Sequence, residues 1–344
     1  MGENRPVDRK VSQLVLRQRR APRLHSAGLL VLRRMLLAIP LTAGLTAVVF
    51  FLASIAPFNP LAAYLGSRYE HTGAEERAAL RAELGLDDSW FSSWVDWLGS
   101  ALHGDLGTSR MLARPVTEVL AERLPYTLLL MGAGLLLAVV LSLLLACAAG
   151  LRRGGFADRA TTWIAQLAQA IPPFVLALVF IAVFSLRLGL PTGGVAPPGQ
   201  EATAGSLAVH LLLPATVMAI SLLPWLVLNL RASVLDMLDS DAVLAARGRG
   251  DSALRIMAFE VLPGALLPFI TVIGSRLGEL ITGALLVETV FAWPGIASAV
   301  IDSAVSADFA LLAAVTACSA LAVFLGNALA DAGYLLLDPR VDDV

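Results

Sequence analysis

Lysine is almost missing. Lys10 is the single lysine in 344 residues, and Val11 follows it. A phosphate-cradling loop of the G-x-x-x-x-G-K-[ST] type needs a lysine ahead of Ser or Thr. The chain therefore builds no such loop, and any ATP that drives it is hydrolysed on another chain. Cysteine is scarce as well. Cys147 and Cys318 lie inside long apolar runs, where thiols act as small core residues and not as a disulfide or metal pair. The four histidines, His25, His71, His103 and His210, have no ligand spacing, which argues against a metal centre. Neither H-E-x-x-H nor G-x-S-x-G occurs, and Asp331 has no paired intramembrane aspartate, so no membrane-protease signature is present. No catalytic residue, cofactor or metal is expected on this chain.

Charge is also in short supply, at 15% of residues against 57% hydrophobic, with a mean hydropathy of +0.76. Soluble domains carry about 25% charged residues. The solvent for much of this chain is expected to be lipid. A net charge of −2 gives no footprint for nucleic acid.

A helix crosses the hydrocarbon core with about 20 apolar residues, because only internal hydrogen bonds can satisfy its backbone there. Six segments qualify: Met35–Ala56, Thr127–Leu151, Ala160–Leu186, Leu207–Leu230, Val261–Val287 and Phe309–Leu337. Pro214 and Pro224 predict a kink in the fourth. This is an all-α membrane protein by pattern. It divides into a basic segment 1–34, a first span 35–56, an external segment 57–124, a five-helix core 125–337 with an inner loop 231–260, and a tail 338–344.

Loop charge sets the orientation. Arginines crowd the stretch before the first span, including Arg33 and Arg34, the loop with Arg152, Arg153 and Arg159, and the loop with Arg231, Arg247, Arg249 and Arg255. The loops after spans three and five carry only Arg187 and no basic residue, respectively. Both termini are expected on the cytoplasmic side of a bacterial inner membrane. The run 35–56 exceeds the 7–15 apolar residues of a signal peptide, so it reads as an uncleaved span. The basic flank reads as positive-inside sequence, ahead of a nucleic-acid arm.

In the external segment, Thr72 and Glu75 have capping-box spacing before Ala74–Leu84, and Gly85 is placed to stop that helix. Asp88 or Ser89 can cap a second. There Trp90, Trp94 and Trp97 share one face. That face either rests on the outer leaflet or a soluble partner, or packs on the bundle.

The inner loop contains Asp241-Ala242-Val243-Leu244-Ala245-Ala246-Arg247-Gly248-Arg249-Gly250. Gly250 can take positive φ and turn the chain, and Asp251 or Ser252 can cap a second short helix through Met257. Such a helix pair either docks in a groove of a soluble protein or simply connects two spans.

At this loop the chain resembles the ABC permease family of oligopeptide, dipeptide and nickel importers. That family carries a cytoplasmic "EAA" loop, E-A-A-x-x-x-G, with a downstream L-P. Here stand Leu244-Ala245-Ala246-Arg247-Gly248-Arg249-Gly250 and Leu262-Pro263, with Leu244 in place of the first acid. Other matches follow in order: Leu32-Arg33-Arg34, Ile55-Ala56-Pro57, Leu80-Arg81-Ala82-Glu83-Leu84-Gly85-Leu86, Gly104-Asp105-Leu106-Gly107-Thr108-Ser109, Glu122-Arg123-Leu124-Pro125, Ile171-Pro172-Pro173-Phe174, Val287-Glu288-Thr289-Val290-Phe291-Ala292-Trp293-Pro294-Gly295 and Leu337-Asp338-Pro339-Arg340. The resemblance covers about residues 29–341. It implies a type I importer permease fold, a second homologous permease, two ABC ATPase subunits, and an extracytoplasmic substrate-binding protein. It makes Asp241 to Asp251 the ATPase-coupling loop, and the first external loop, with Asp105 and the three tryptophans, the cover that receives the binding protein.

Arg276 and Glu279 lie three apart in the fifth span. Charges inside a bilayer face one another or a water path. They either meet a polar solute or form a structural pair. Gly274, Gly278 and Gly283 permit close helix approach. Asn327 and Asp331 invite the same two readings, and Glu288 is expected near the outer end of the path. The resulting expectation is an importer permease for peptides or a related small polar solute, with a nickel or other metal-chelate importer of the same family as an alternative. A carrier driven by an ion gradient is the rival from another class; its usual internal repeats are not visible here.

Overall fold

The computed structural model describes residues 7–56, 59–83, 86–109, 112–306 and 308–337. Pro57, the expected helix stop at Gly85 and the tail 338–344 lie outside the described residues. So do the basic side chains that precede Gly28.

Helix α1 (Val7–Ile55) carries the first apolar run. A short α2 (Pro60–Leu65) follows, capped by Asn59, whose Oδ1 accepts from Leu61 N at 3.1 Å and Ala62 N at 3.3 Å. A 3-10 turn, Gly66–His71, and α3 (Ala74–Glu83) come next. Thr72 spends its hydroxyl on Arg68 O at 2.8 Å, behind α3, in place of the capping role its spacing suggested. Ser89 caps α4 (Trp90–Leu102) by accepting from Ser92 N at 3.1 Å. A two-residue ladder pairs β1 (Thr108–Ser109) antiparallel to β2 (Arg114–Pro115), in the register Thr108 to Pro115.

The bundle proper begins with α5 (Val116–Leu151). It continues through α6 (Phe156–Ala170) and α7 (Pro173–Phe180), which ends in a π turn at Ile181–Ser185. Then come α8 (Ala204–Leu238), α9 (Asp241–Gly248), α10 (Ala253–Ile256), α11 (Leu262–Ser275), α12 (Leu277–Val290), α13 (Ile296–Ser306) and α14 (Phe309–Leu337). Among the described residues, five helical stretches are long and apolar enough to cross a membrane: Gly28–Ile55, Val116–Leu151, Ala204–Leu238, Ala253–Ser275 and Phe309–Gly333. The α6–α7 pair makes a sixth if counted as one span, bent by 99°.

Two of the six expected spans are not straight helices. The third is folded at Ile171-Pro172-Pro173. Neither proline can donate the bond that α6 would need to continue, and the residue before a proline is pushed to extended backbone; Ile171 has φ −103° and ψ 117°. The fifth divides at Arg276, which ends α11 and starts α12 at φ −97° and ψ 1°. By contrast, α8 is assigned as unbroken helix through both Pro214 and Pro224.

Helices α5 and α8 pack along much of their length, as do α1 and α14. The α5–α8 contact is legible as chemistry. Gly134, Ala138, Ser142, Ala146 and Gly150 recur every four residues on α5 and are all buried, which lets the backbones approach where lipid provides no hydrophobic drive between helices. Met218 packs at Gly134 and Val234 at Gly150. The main core joins α5, α7, α8, α11 and α12 around Leu130, Leu226, Leu230, Val261, Phe269 and Leu280. A second cluster, with Val116, Leu120, Ile296, Leu311 and Val315, gathers around the start of α5 and the α13–α14 hairpin.

Candidate functional site

The loop 231–260 forms a tight hairpin. Asp241 sits in the first turn of α9, where its charge suits the helix N-terminus. Val243 and Ala246 are fully buried and tie α9 to the bundle. Ala245, Arg247, Gly248, Arg249 and Gly250 are exposed. Gly250 has φ +80°, the left-handed region that glycine enters freely. Its N–H donates to Arg247 O at 3.0 Å, and Asp251 N donates to Ala246 O at 3.1 Å. Ser252 then caps α10. That second helix does not stop at Met257. It runs through a π turn, Met257–Val261, directly into α11. Arg249 bridges Asp251 at 3.2 Å and Glu260 at 3.1 Å, stiffening the turn. Leu244, Leu254 and Phe259 project outward at 69%, 70% and 73% exposure, an apolar edge on an otherwise polar hairpin.

Two ion pairs anchor this end. Asp158, buried near the start of α6, meets Arg231 of α8 at 2.5 Å and also accepts from Gly154 N at 2.8 Å. Arg153 meets Asp239 at 2.8 Å, at the α8–α9 junction. Sequence reasoning counted Arg153 and Arg231 only as orientation charges. Their partners lie 86 and 73 residues away, and no local spacing announces them.

A cleft of about 300 Å³ opens at the α6–α7 elbow, between Gln169, Pro172, Ser221, Trp225, Glu279 and Gly283. Arg276 stacks its guanidinium 3.8 Å from the centroid of Trp225 and donates to Glu279 Oε2 at 2.9 Å. Side-chain exposures of 31% for Arg276 and 46% for Glu279 show that the pair is not sealed. Gly283 faces open space, Gly278 reaches only Val323 at 4.0 Å, and Gly274 lies directly under Ala330 of α14.

Asp331 does not line this cleft. It is ion-paired with Arg34 of α1, as the long α1–α14 contact dictates. Glu288 also lies apart, fully buried, accepting from Ala297 N at 2.8 Å. Around it the Trp293 indole donates to Tyr126 O at 3.0 Å, and Thr127 Oγ1 accepts from Ile296 N at 2.9 Å. Arg123 donates to Ser298 and Gly295. Arg123, Thr127 and Trp293 carried no assigned role in the sequence. The structure shows that they clasp α5 to the α12–α13 turn.

The tryptophan face of α4 turns onto α1. Trp94 Nε1 donates to Thr46 Oγ1 at 3.1 Å, Trp90 meets Phe51 edge-on at 5.5 Å, and Trp97 lies 5.9 Å from Phe50. Asp105 caps its own turn, accepting from Gly107 N at 2.9 Å.

A bundle of long apolar helices, with a mid-chain cleft and a structured hairpin at one end, defines a multi-pass membrane protein. The chain belongs to the family of binding-protein-dependent transport system inner membrane components, whose model matches residues 121–343. It is 34% identical over 314 residues to the oligopeptide transport system permease protein AppB of Bacillus subtilis, covering 91% of this chain and 98% of that one. It is 29% identical over 333 residues to the dipeptide transport system permease protein DppB of Escherichia coli, covering 90% and 98% respectively.

Proposed function

We propose that this permease moves short peptides inward across a bacterial inner membrane, in a complex with a second homologous permease, two ATPase subunits and an extracytoplasmic binding protein. The relatives over nine-tenths of the chain are peptide and dipeptide permeases by name. The observation that carries the coupling role is the hairpin of α9 and α10: a backbone held by Gly250 at positive φ, with Leu244, Leu254 and Phe259 exposed on an apolar edge. Exposed apolar side chains on a charged hairpin suit a groove in a soluble partner. With no phosphate-binding loop on this chain, ATP is hydrolysed by the partner, and the hairpin passes its motion through Val243 and Ala246 into the core. Both termini lie on the hairpin's side by the arginine distribution.

The test is Gly250→Val in the assembled transporter. A β-branched residue at this φ is strained by about 1–2 kcal/mol, enough to shift the turn. Peptide uptake per ATP hydrolysed is expected to fall while the four-part complex still co-purifies. Normal uptake in that variant would remove the coupling role.

A further inference from the structure

We propose that Arg276 and Glu279 form an exchangeable charge pair that reads both ends of a zwitterionic solute, a short peptide with free termini, as it passes the cleft. The inference rests on the peptide reading above and adds to it the residues and the chemistry of recognition.

The cleft has an acceptor wall, with an arginine at its border. On α6, the carbonyls of Ala168 and Gln169 would be satisfied by the N–H groups four residues on. Those positions are Pro172 and Pro173, which have none to give. Both carbonyl-bearing residues line the cleft, and Glu279 lines it with them. The negative end of the α6 dipole points the same way. This wall suits an ammonium group. Arg276 does not itself line the cleft; it borders it one helical turn before Glu279, bonded to that carboxylate and held flat on the lining residue Trp225 at 3.8 Å. A guanidinium has five donors in a rigid fork, and the bond to Glu279 uses one of them. The stacking fixes the plane of the group while leaving its edge able to take a carboxylate in a bidentate fashion.

Charges within a bilayer pair with one another or face a water-filled path. This pair leaves Glu279 nearly half exposed and directed into the cleft. Before solute arrives, each charge neutralises the other. When solute arrives, its carboxylate replaces Glu279 on Arg276, and its ammonium goes to Glu279 and the orphan carbonyls. Charge stays balanced throughout, so no bare ion is left in the membrane interior.

The experiment uses the complete transporter in proteoliposomes, with its binding protein saturated by a tripeptide with free termini. Arg276→Gln and Glu279→Gln are each expected to lower uptake about ten-fold, the effect of losing one charge-assisted contact. The exchange variant R276E/E279R keeps an ion pair within the bundle. It is expected to be equally slow, because an arginine at 279 then faces the α6 carbonyls of Ala168 and Gln169 in the ammonium group's place. Wild-type uptake by the exchange variant, or by both neutral variants, overturns the proposal. On the unmodified complex, with the binding protein saturated in each case, the methyl ester of the same tripeptide is expected to move about ten-fold more slowly. Equal rates for ester and free acid overturn the proposal without any variant having to fold. Failure of the unmodified complex to move any peptide, with ATP hydrolysis still stimulated, is a different result: it removes the peptide reading itself.

Discussion

Asp158 and Arg231 meet at 2.5 Å across 73 residues of chain, and they hold α6 against α8 at the end of the bundle that carries the hairpin. Asp158 is 5% exposed. A carboxylate this buried needs partners for its charge, and it has two, the Arg231 guanidinium and Gly154 N–H. Because α8 leads straight into α9, and α6 leads to the elbow of the cleft, this pair joins the helix that carries the hairpin to the helix that borders the cleft.

Asp158→Asn leaves the Arg231 guanidinium without its counter-charge. Arg231 is 26% exposed, so the loss is that of a charge-assisted hydrogen bond, about 1.5–3 kcal/mol, and the thermal midpoint of the purified complex is expected to fall. D158N/R231M, which removes both charges, is expected to recover a good part of that loss. A double variant less stable than the single one would show that the pair is not what holds these helices.

The small-residue row on α5 makes a steric prediction. Ala138 is fully buried against α8. Ala138→Leu forces three more carbon atoms into a closed contact, and overpacking of this kind costs about 1–3 kcal/mol. Reduced thermal stability and reduced yield of assembled complex are expected, while Leu136→Ala on the exposed side, at 66% exposure, leaves both unchanged.

Glu288 predicts a difference between two substitutions. Its Oε2 accepts from Ala297 N in a fully buried setting. Glu288→Gln keeps an acceptor oxygen and is expected to retain most uptake. Glu288→Leu strands the Ala297 donor, at a cost of about 1–3 kcal/mol, and loosens the clasp that Thr127, Trp293 and Arg123 complete. Uptake assays on the two variants side by side check it: equal behaviour would mean that the hydrogen bond to Ala297 is not what matters there.

Trp94 offers the mildest case. Its ring packs on α1, and its indole nitrogen spends its one donor on Thr46. Trp94→Phe is expected to lose about 0.5–1.5 kcal/mol, the net worth of one hydrogen bond, with uptake nearly intact. A severe loss of binding-protein-stimulated ATP hydrolysis in a well-folded Trp94→Phe variant would instead assign that face to a soluble partner.

Much of this was legible in the residues. The apolar runs located the long helices, because a lipid solvent leaves the backbone no alternative to helix; five qualify as crossings, and the expected six are reached only if α6 and α7 count as one. The glycine at 250, followed by Asp251-Ser252, gave the hairpin turn and the cap of its second helix. The Pro172-Pro173 pair stood in plain view, yet the 99° elbow was not read from it, since prolines in membrane helices are often absorbed within one helix, as Pro214 and Pro224 are in α8.

What the sequence by itself determined, then, is the solvent, the helices and the local turns, all of which follow from hydropathy and from backbone chemistry over a few residues. The tertiary structure alone decided which charge meets which. Asp158 could have faced water, Asp331 could have joined Arg276, and the three tryptophans could have faced outward. Pairings across tens of residues depend on how helices cross, and crossing is set by small-residue rows and core packing distributed over the whole chain. No single stretch of sequence carries that information.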